Sequence, residues 1–255
     1  MLIGIDIGNT DFTIGFFQGI KLLDTFRMTS KSKKTSDEYG MFMLDALKYR
    51  KYNVEDVEDV IISSVVPDVM HSFTSAIIKF FNKRPILVGP GVKTGIKVKT
   101  NNPKQTGADR IVDGVAAYEL YGGPCIVIDF GTATTYDVVS EKGEFLGGVI
   151  TPGLGTAVKV LGQQAAKLPE VEIRKPGTIV GKDTVTAMQA GCFYGYIGQT
   201  EYIIRKLKEE TGYEDALVVA TGGLGRMISE ETTTIDIYDQ YLTLKGLQII
   251  YDKQR

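Results

Sequence analysis

Two short segments of the chain carry the same set of groups that could bind phosphate. Residues 6–10 read Asp-Ile-Gly-Asn-Thr and residues 129–133 read Asp-Phe-Gly-Thr-Ala, each between two apolar runs. Glycine lets backbone N–H groups approach phosphate oxygens, hydroxyl and amide groups add neutral donors, and a carboxylate can orient hydrated Mg²⁺. One such turn is common in hairpins, but two copies point to nucleotide-dependent phosphoryl transfer.

Two further segments extend this interpretation. Thr-Gly-Gly at residues 221–223 follows a buried-strand pattern, and its glycines would let adenine or ribose lie against a helix start. Gly-Ala-Asp-Arg at residues 107–110 opens a predicted helix. Asp109 is either a first-turn acid favoured by the helix dipole or a base that accepts a hydroxyl proton beside Arg110. Spacing alone leaves both roles open, and the chain has no Walker-type phosphate loop.

The elements that would position these groups occur twice in the same order. Hydrophobic patterns predict a hairpin at residues 3–17 with a third strand at 20–28, and a matching set of three strands at 126–150. Capping signals and apolar spacing predict helices that start at residues 35 and 67 and that span 107–121, 183–210 and 242–251. Repeated strand hairpins followed by helices predict an α/β protein of two similar domains, 1–116 and 117–255, around a nucleotide cleft.

The bulk composition argues against several classes of protein. A formal net charge of −2 over 255 residues gives no field that would attract nucleic acid or an anionic membrane. No apolar run is long enough for a membrane span, and the N-terminus lacks the basic region of a signal peptide. Cys125 and Cys192 have no metal-site spacing and cannot form a disulfide framework, so we expect a cytoplasmic protein.

Histidine chemistry is limited to one residue. His71 is the only histidine and falls in a predicted helix, where we expect a surface position without a catalytic role. A general base must then be a carboxylate.

Glycines interrupt the long predicted helix at 183–210. Gly191 and Gly195 are four residues apart and therefore share one face, although each glycine in a helix interior costs about 1 kcal/mol. A helix that approaches this face closely could come from the same chain or from a second subunit.

Taken in order, these segments resemble one family. The chain is similar to type III pantothenate kinases from residue 1 to at least residue 223, and the blocks at 107–110 and 129–135 are the most selective. The opening turn is shared with the wider superfamily of acetate and sugar kinases, Hsp70 and actin. The other blocks that carry the resemblance are Asn-Pro at 102–103, Gly-Gly-Val-Ile-Thr-Pro-Gly at 147–153, Leu-Pro at 168–169 and Thr-Gly-Gly at 221–223.

The resemblance implies an activity, a fold and roles for individual residues. It implies ATP-dependent phosphorylation of pantothenate in coenzyme A synthesis by a homodimer with two ribonuclease H-like (actin-like ATPase) domains. It implies Mg²⁺ and a monovalent cation, K⁺ or NH₄⁺, the latter held by Asp129. The implied ATP-binding residues are Asp6, Ile7, Gly8, Asn9, Thr10, Asp11, Phe12, Thr13 and Thr132. The implied pantothenate-binding residues are Gly107, Ala108, Asp109 as general base, Arg110 and Thr184.

Three positions depart from the family pattern. Asp11 stands where Asn is usual, and a carboxylate near phosphate should weaken ATP binding or call for more cation. The stretch 99–101 lacks the usual Tyr, and Asp113 adds an acid one turn after Asp109. These departures keep open the alternative of an accessory relative that binds ATP or a pantothenate-like ligand without catalysis. Another enzyme of the superfamily, such as a sugar kinase or a polyphosphate phosphatase, is a separate alternative, although the lack of a cysteine and histidine zinc cluster argues against the zinc-bearing sugar kinases.

Overall fold

The computed structural model describes all 255 residues, which form two compact units. Unit 1 contains Met1–Ile96, Asn101–Ala116 and Tyr241–Arg255, and unit 2 contains Lys97–Thr100 and Ala117–Gln240. The strands are β1 (Leu2–Ile7), β2 (Asp11–Gln18), β3 (Lys21–Thr29), β4 (Asp59–Ser64), β5 (Ile86–Leu87), β6 (Lys97–Val98), β7 (Cys125–Phe130), β8 (Ala133–Val139), β9 (Glu144–Pro152), β10 (Leu217–Thr221) and β11 (Ile237–Tyr238). The helices are α1 (Ser36–Tyr49), α2 (Pro67–Phe81), α3 (Ala108–Tyr121), α4 (Leu154–Gln164), α5 (Thr184–Thr211), α6 (Gly225–Ser229) and α7 (Leu242–Asp252).

The sheet of unit 1 has the order β3-β2-β1-β4-β5. The first three strands pair antiparallel, whereas β4 and β5 are added in parallel. Alternation in β1 sends Ile3, Ile5 and Ile7 into a core beneath α1 and α2, where Phe12, Tyr39 and Phe73 also pack. The opposite face of the sheet packs against a second cluster built from α3 and α7, which includes Leu247.

The helices of unit 1 begin where the local sequence predicts. Thr35 and Glu38 form the predicted capping box, since each side chain bonds the other residue's backbone N–H. Pro67 occupies the first turn of α2, where its missing N–H costs nothing. His71 is exposed on α2, as expected.

The sheet of unit 2 has the order β11-β10-β7-β8-β9-β6. Strands β7, β8 and β9 pair antiparallel, and β10 and β11 are added in parallel beside β7. The core of this unit lies between the sheet and the helices α4, α5 and α6, and Phe130, Tyr136 and Phe193 are among its largest members.

The two sheets confirm the prediction of two similar α/β domains. β3-β2-β1-β4-β5 in unit 1 corresponds strand for strand to β9-β8-β7-β10-β11 in unit 2, with the same relative directions. The packing differs from a simple division at residue 116 in two segments. The helix α7 belongs to unit 1 because its leucines pack against β1 and β2, and β6 joins unit 2 because it pairs with β9.

Candidate active site

The first polar turn joins β1 to β2 in unit 1. The backbone N–H of Gly8 donates to the carbonyl oxygen of Asp11 (3.0 Å), and Asn9 at the tip is exposed. Asp6 lies at the carboxyl end of β1, half-buried, opposite Thr13 of β2. The turn thus combines accessible donors with one carboxylate, a set that can hold phosphate oxygens and a cation.

The end of β3 supports this turn from one side. The backbone N–H of Ser30 donates to the carbonyl oxygen of Thr10 (2.8 Å), and Ser30 Oγ donates to the carbonyl oxygen of Gly8 (2.7 Å). Ile7 and Phe12 are fully buried in the core, so only their backbone could meet a ligand.

Arg27 neutralises the unusual carboxylate of the turn. Its Nη2 lies 2.7 Å from Oδ2 of Asp11, in an ion pair between neighbouring strands. The sequence analysis treats Asp11 as an added negative charge near phosphate. The pair reduces that repulsion, although both side chains are partly exposed and the interaction is correspondingly weak.

Ser63 was missed by the sequence analysis. It is the register partner of Asp6 on the parallel strand β4, so the two side chains leave the sheet on the same face. Ser63 is fully buried, and its Oγ has no hydrogen-bond partner among the protein groups. Two serines in the middle of the otherwise apolar run 60–66 are the signal that could have identified it.

Asp109 stands at the start of α3, and its Oδ1 accepts a hydrogen bond from the backbone N–H of Arg110 (2.8 Å). Burial raises the pKa of the Asp109 carboxyl, and the N–H and positive charge of Arg110 oppose that shift. A carboxylate with a raised pKa is a better proton acceptor than an exposed aspartate. The position is therefore compatible with both roles that the spacing left open: a first-turn acid and a base.

Gly107 leaves room for the Asp109 carboxylate. A Cβ built on Gly107 would overlap Oδ1 of Asp109 and would lie 3.7 Å from Cγ1 of Val65. Val65 in turn donates its backbone N–H to the carbonyl oxygen of Ile7 (3.2 Å). The first turn and residues 107–110 are therefore neighbours in unit 1.

The other two places where the chain departs from the family pattern are Asp113 and the stretch 99–101. Asp113 is buried on α3, one turn after Asp109. Thr100 follows β6 beside Gly147 of β9, and the preceding Lys99 forms an ion pair with Glu144 (3.4 Å). The stretch without the usual Tyr is thus part of the edge of the second sheet.

The second polar turn joins β7 to β8 in unit 2. The backbone N–H of Gly131 donates to the carbonyl oxygen of Ala133 (3.1 Å), and Asp129 is half-buried at the end of β7. Glycine backbone borders both carboxylate oxygens of Asp129. A Cβ on Gly222 would lie 2.5 Å from Oδ1, and one on Gly131 would lie 3.3 Å from Oδ2. A side chain at position 222 would therefore overlap the carboxylate and one at position 131 would crowd it, and carboxylate oxygen is a ligand that hard cations prefer.

Thr132 is exposed at the tip of the second turn, and α4 holds its backbone. The carbonyl oxygen of Thr132 accepts bonds from the N–H of Gly153 (3.1 Å) and from Oγ1 of Thr156 (2.7 Å). A Cβ on Gly153 would overlap the carbonyl oxygens of Gly131 and Thr132, so glycine is required for this approach.

The late Thr-Gly-Gly segment lies directly beside the second turn. Gly222 follows β10 with φ of +91°, a conformation that side chains other than glycine rarely adopt. The hydroxyl of Tyr238 donates to the carbonyl oxygen of Gly222 (3.0 Å), and the guanidinium of Arg226 lies 5.7 Å from the centre of the Tyr238 ring. The sequence analysis did not identify Arg226 or Tyr238, because nothing local links them to the glycines.

Thr184 is the first residue of α5 and is exposed. Asp183 caps the helix by accepting the N–H of Thr186 (2.9 Å). Three glycines of α5 lie on the surface, and a Cβ on any of them would meet nothing within 4 Å. They are Gly191, Gly195 and Gly198.

Two negative findings complete the site description. No group of three or more histidine, cysteine, aspartate or glutamate side chains is arranged to hold a metal ion. No helix is both long and apolar enough to span a bilayer.

Comparisons with known structures define the class of the protein. A conserved protein of the Baf family from Campylobacter jejuni superposes with a TM-score of 0.63 at 20% identity, over 99% of this chain and 98% of that one. The activator of the 2-hydroxyisocaproyl-CoA dehydratase from Clostridium difficile, solved with bound ADPNP, gives a TM-score of 0.53 at 13% identity, over 98% and 93%. The two related sheets and these neighbours define an actin-like ATPase fold.

Sequence comparison then identifies the family. The profile of the type III pantothenate kinases matches residues 2–206. The type III pantothenate kinase of Agathobacter rectalis is 58% identical over 254 residues, which cover 100% of this chain and 98% of that protein. The chain belongs to the type III pantothenate kinase family.

Proposed function

We propose that the protein transfers the γ-phosphoryl group of ATP to the primary hydroxyl of pantothenate, giving 4′-phosphopantothenate and ADP in the first step of coenzyme A synthesis. The observation that carries this proposal is the half-buried Asp109, whose carboxyl has a raised pKa, next to a phosphate-type turn in a chain 58% identical to a type III pantothenate kinase.

Asp109 is the proposed general base. Phosphoryl transfer depends mainly on positioning and charge neutralisation, so the base has only to orient the hydroxyl and receive its proton as the new O–P bond forms. The bond from the γ-phosphorus to the bridging oxygen breaks, and ADP leaves with that oxygen. The raised pKa of Asp109 favours proton acceptance, while the N–H of Arg110 keeps the carboxylate oriented.

The proposed contacts with pantothenate use charge and hydrogen bonding. The guanidinium of Arg110 can bind the pantothenate carboxylate through two parallel N–H donors. Gly107 and Ala108 supply backbone to the same ligand, and Thr184 contributes a hydroxyl at a helix start. The neighbouring first turn, residues 6–13, and Thr132 are the proposed contacts of ATP.

Two cations are part of the proposal. The charges of Asp6 and Asp129 would repel polyphosphate, so each carboxylate calls for a positive ion. Asp6 with the buried hydroxyl of Ser63 suits the hydrated Mg²⁺ that accompanies ATP, and Asp129 between two glycines suits K⁺ or NH₄⁺. When bound, the ions neutralise phosphate charge.

A homodimer in the cytoplasm is the proposed assembly. The proposed domains are 1–116 and 117–255, apart from residues 97–100 and 241–255, which pack with the other unit. The face of α5 that carries the three open glycines supports the dimer. Thr184, Gly191, Gly195, Gly198 and Tyr202 follow at intervals of seven, four, three and four residues, so they form one exposed stripe. Because a second helix could approach such a stripe closely, Gly195→Leu should give monomers in sedimentation. Glu210→Leu, on the same helix but off the stripe, should leave the dimer intact; dimers of both variants would contradict this interface.

The decisive experiment measures ADP release with ATP, Mg²⁺ and pantothenate, in K⁺ and in Na⁺. We expect pantothenate-dependent turnover that K⁺ stimulates, and we expect Asp109→Asn to lower kcat by about 10²- to 10⁴-fold while ATP still binds. Retained activity in Asp109→Asn would remove Asp109 as the base. A folded wild-type protein that binds ATP without turnover in either salt would favour the accessory-protein alternative.

A further inference from the structure

The buried face of α5 is bonded to the second polar turn. The hydroxyl of Tyr196 on α5 bonds the hydroxyl of Thr134 on β8, and it also lies 3.3 Å from the carbonyl oxygen of Pro152, to which it can donate. Both hydroxyl-bearing side chains are buried, at 6% and 0% exposure. A helix outside the turn therefore fixes one residue of the motif at 129–135.

Tyr196 also packs against the residue that follows Asp129. Thr134 is the register partner of Phe130, the residue after Asp129, and the rings of Phe130 and Tyr196 are 6.2 Å apart. Burial raises the pKa of Tyr196, and the negative charge of Asp129 raises it further. The phenol thus lies within electrostatic range of the proposed cation ligand.

A second path leads from α5 through a residue of β9 to the same threonine. Nε2 of Gln199 donates to Oγ1 of Thr151 (3.2 Å), and Oγ1 of Thr151 lies 3.5 Å from the carbonyl oxygen of Thr134. Tyr196 and Gln199 are three residues apart and share one helix face. Thr134 is therefore held at its hydroxyl by the first residue and, more loosely, at its carbonyl through the second.

A nearly symmetric pair lies one helical turn away, and its hydroxyl groups do not bond the Thr134 hydroxyl. The hydroxyl of Tyr136 on β8 bonds Oγ1 of Thr200 on α5 (3.1 Å), and both residues are fully buried. Both pairs join a tyrosine hydroxyl to a threonine hydroxyl. Here the tyrosine lies on the strand and the threonine on the helix, whereas Tyr196 lies on the helix and Thr134 on the strand. Tyr136 is paired with Ile128 inside the sheet, two residue pairs further from the turn than Thr134 and Phe130. The Tyr136 phenol also interacts with Gln199 and Thr151, so Tyr136→Phe is a control for the loss of one buried tyrosine hydroxyl that leaves the bond between Tyr196 and the Thr134 hydroxyl in place.

We propose that Tyr196 is a positioning residue for the nucleotide- and cation-binding turn at 129–135, acting through its bond to Thr134. The inference rests on the proposed function for the identity of the ligands that the turn binds. The way in which Tyr196 holds the turn does not depend on that function. Without the phenolic hydroxyl, the Thr134 hydroxyl loses its partner, and the end of β8 is free to shift relative to Phe130 and Asp129. The carboxylate then loses the fixed orientation that a preorganised ion site needs.

The test compares Tyr196→Phe with Tyr136→Phe in the full-length protein. Three quantities are measured: the free energy of unfolding, amide hydrogen exchange across 129–135 without ligand, and the Kd of MgATP in K⁺ and in Na⁺ without pantothenate. We expect similar losses of stability, since each variant removes one buried hydroxyl bond. Only Tyr196→Phe should speed exchange in the turn, and it should weaken MgATP binding in K⁺ by about tenfold, a loss of about 1.4 kcal/mol.

A second variant approaches the bond from the other side. Thr134→Val should reproduce the Tyr196→Phe effects, and the double variant should be no worse than either single one. Equal exchange and binding in Tyr196→Phe and Tyr136→Phe would overturn the inference. Failure of the proposed function would look different: the wild type would release no ADP with pantothenate, yet the exchange difference between the two variants would persist.

Discussion

The two polar turns share a residue pattern but differ in how the protein surrounds them. The first turn is supported along one edge by Ser30, and a Cβ on its glycine, Gly8, would meet only one atom, a carbonyl oxygen at 3.3 Å. The second turn is bordered by Gly153 at its tip, by Gly222 beside its carboxylate and by Tyr196 at its far strand.

Under the proposed function, this difference separates an adaptable phosphate loop from a preformed ion site. A ligand with several rotatable phosphates gains from a loop whose N–H groups can adjust to it. A monovalent cation has weak, undirected contacts, so its site must be ordered before it binds. The Asp-x-Gly pattern thus specifies the local turn, whereas elements distant in the chain determine how rigid the turn is.

The largest expected effect tests this rigidity. Gly222→Ala puts a methyl group within 2.7 Å of the Phe130 backbone at a positive φ, and backbone cannot move aside. We expect a loss of about 3 kcal/mol or more in the free energy of unfolding, measured by urea titration. Gly8→Ala, in the first turn, should cost less than about 1 kcal/mol. Equal costs would mean that the two turns are equally confined.

Gly107 in unit 1 also lies beside a carboxylate. A methyl group added there would meet a side chain and not the backbone. In Gly107→Ala the new methyl would overlap the carboxylate tip of Asp109, which can rotate away. We therefore expect a folded protein with near-normal stability but a kcat reduced by about 10- to 100-fold, because the base is displaced. Unchanged kcat, or a loss of stability as large as that of Gly222→Ala, would contradict this explanation.

Local signals account for what the sequence predicts well. The capping box at Thr35, the first-turn proline at residue 67 and the hairpins around both turns depend on neighbours in the chain, and the strand pattern repeats because the two sheets repeat. What the sequence misses depends on long-range packing. The pairing of β6 with β9 and the packing of α7 on the first sheet join segments that are far apart in the chain.

The same distinction holds within the candidate site. The motif residues of both turns and of 107–110 can be identified from type and spacing. The residues that change the charge or the rigidity of these motifs cannot be identified in this way. Arg27 pairs with Asp11 from the next strand, and Tyr196 bonds Thr134 from 62 residues away in the chain. Charge neutralisation and turn rigidity are properties of the folded chain, so no local pattern encodes them.

The pH dependence of stability gives a third, smaller effect. Because burial raises the pKa of Asp109 in the folded state above its unfolded value, folding favours the protonated form. The charged form therefore costs stability at neutral pH, and this cost disappears as the pH falls below the unfolded pKa. Asp109→Asn, which is expected to be nearly inactive, should raise Tm at pH 7 and lose that advantage in acid. A lower Tm at pH 7 would show that the ionised carboxylate stabilises the fold.

The smallest expected effect concerns the charge on the first turn. Arg27→Ala leaves Asp11 without the ion pair at 2.7 Å, so repulsion between Asp11 and the ATP phosphates should grow. An exposed pair is worth about 0.2–1 kcal/mol, which predicts MgATP binding weaker by at most about fivefold at low salt, measured by calorimetry. Added salt should shrink the difference because both groups are accessible to ions. Asp11→Asn should bind ATP at least as tightly as the wild type, and Arg27→Ala in that background should have no further effect. If Arg27→Ala weakens ATP binding equally with Asn at position 11, then Arg27 acts on the nucleotide directly and the neutralisation argument fails.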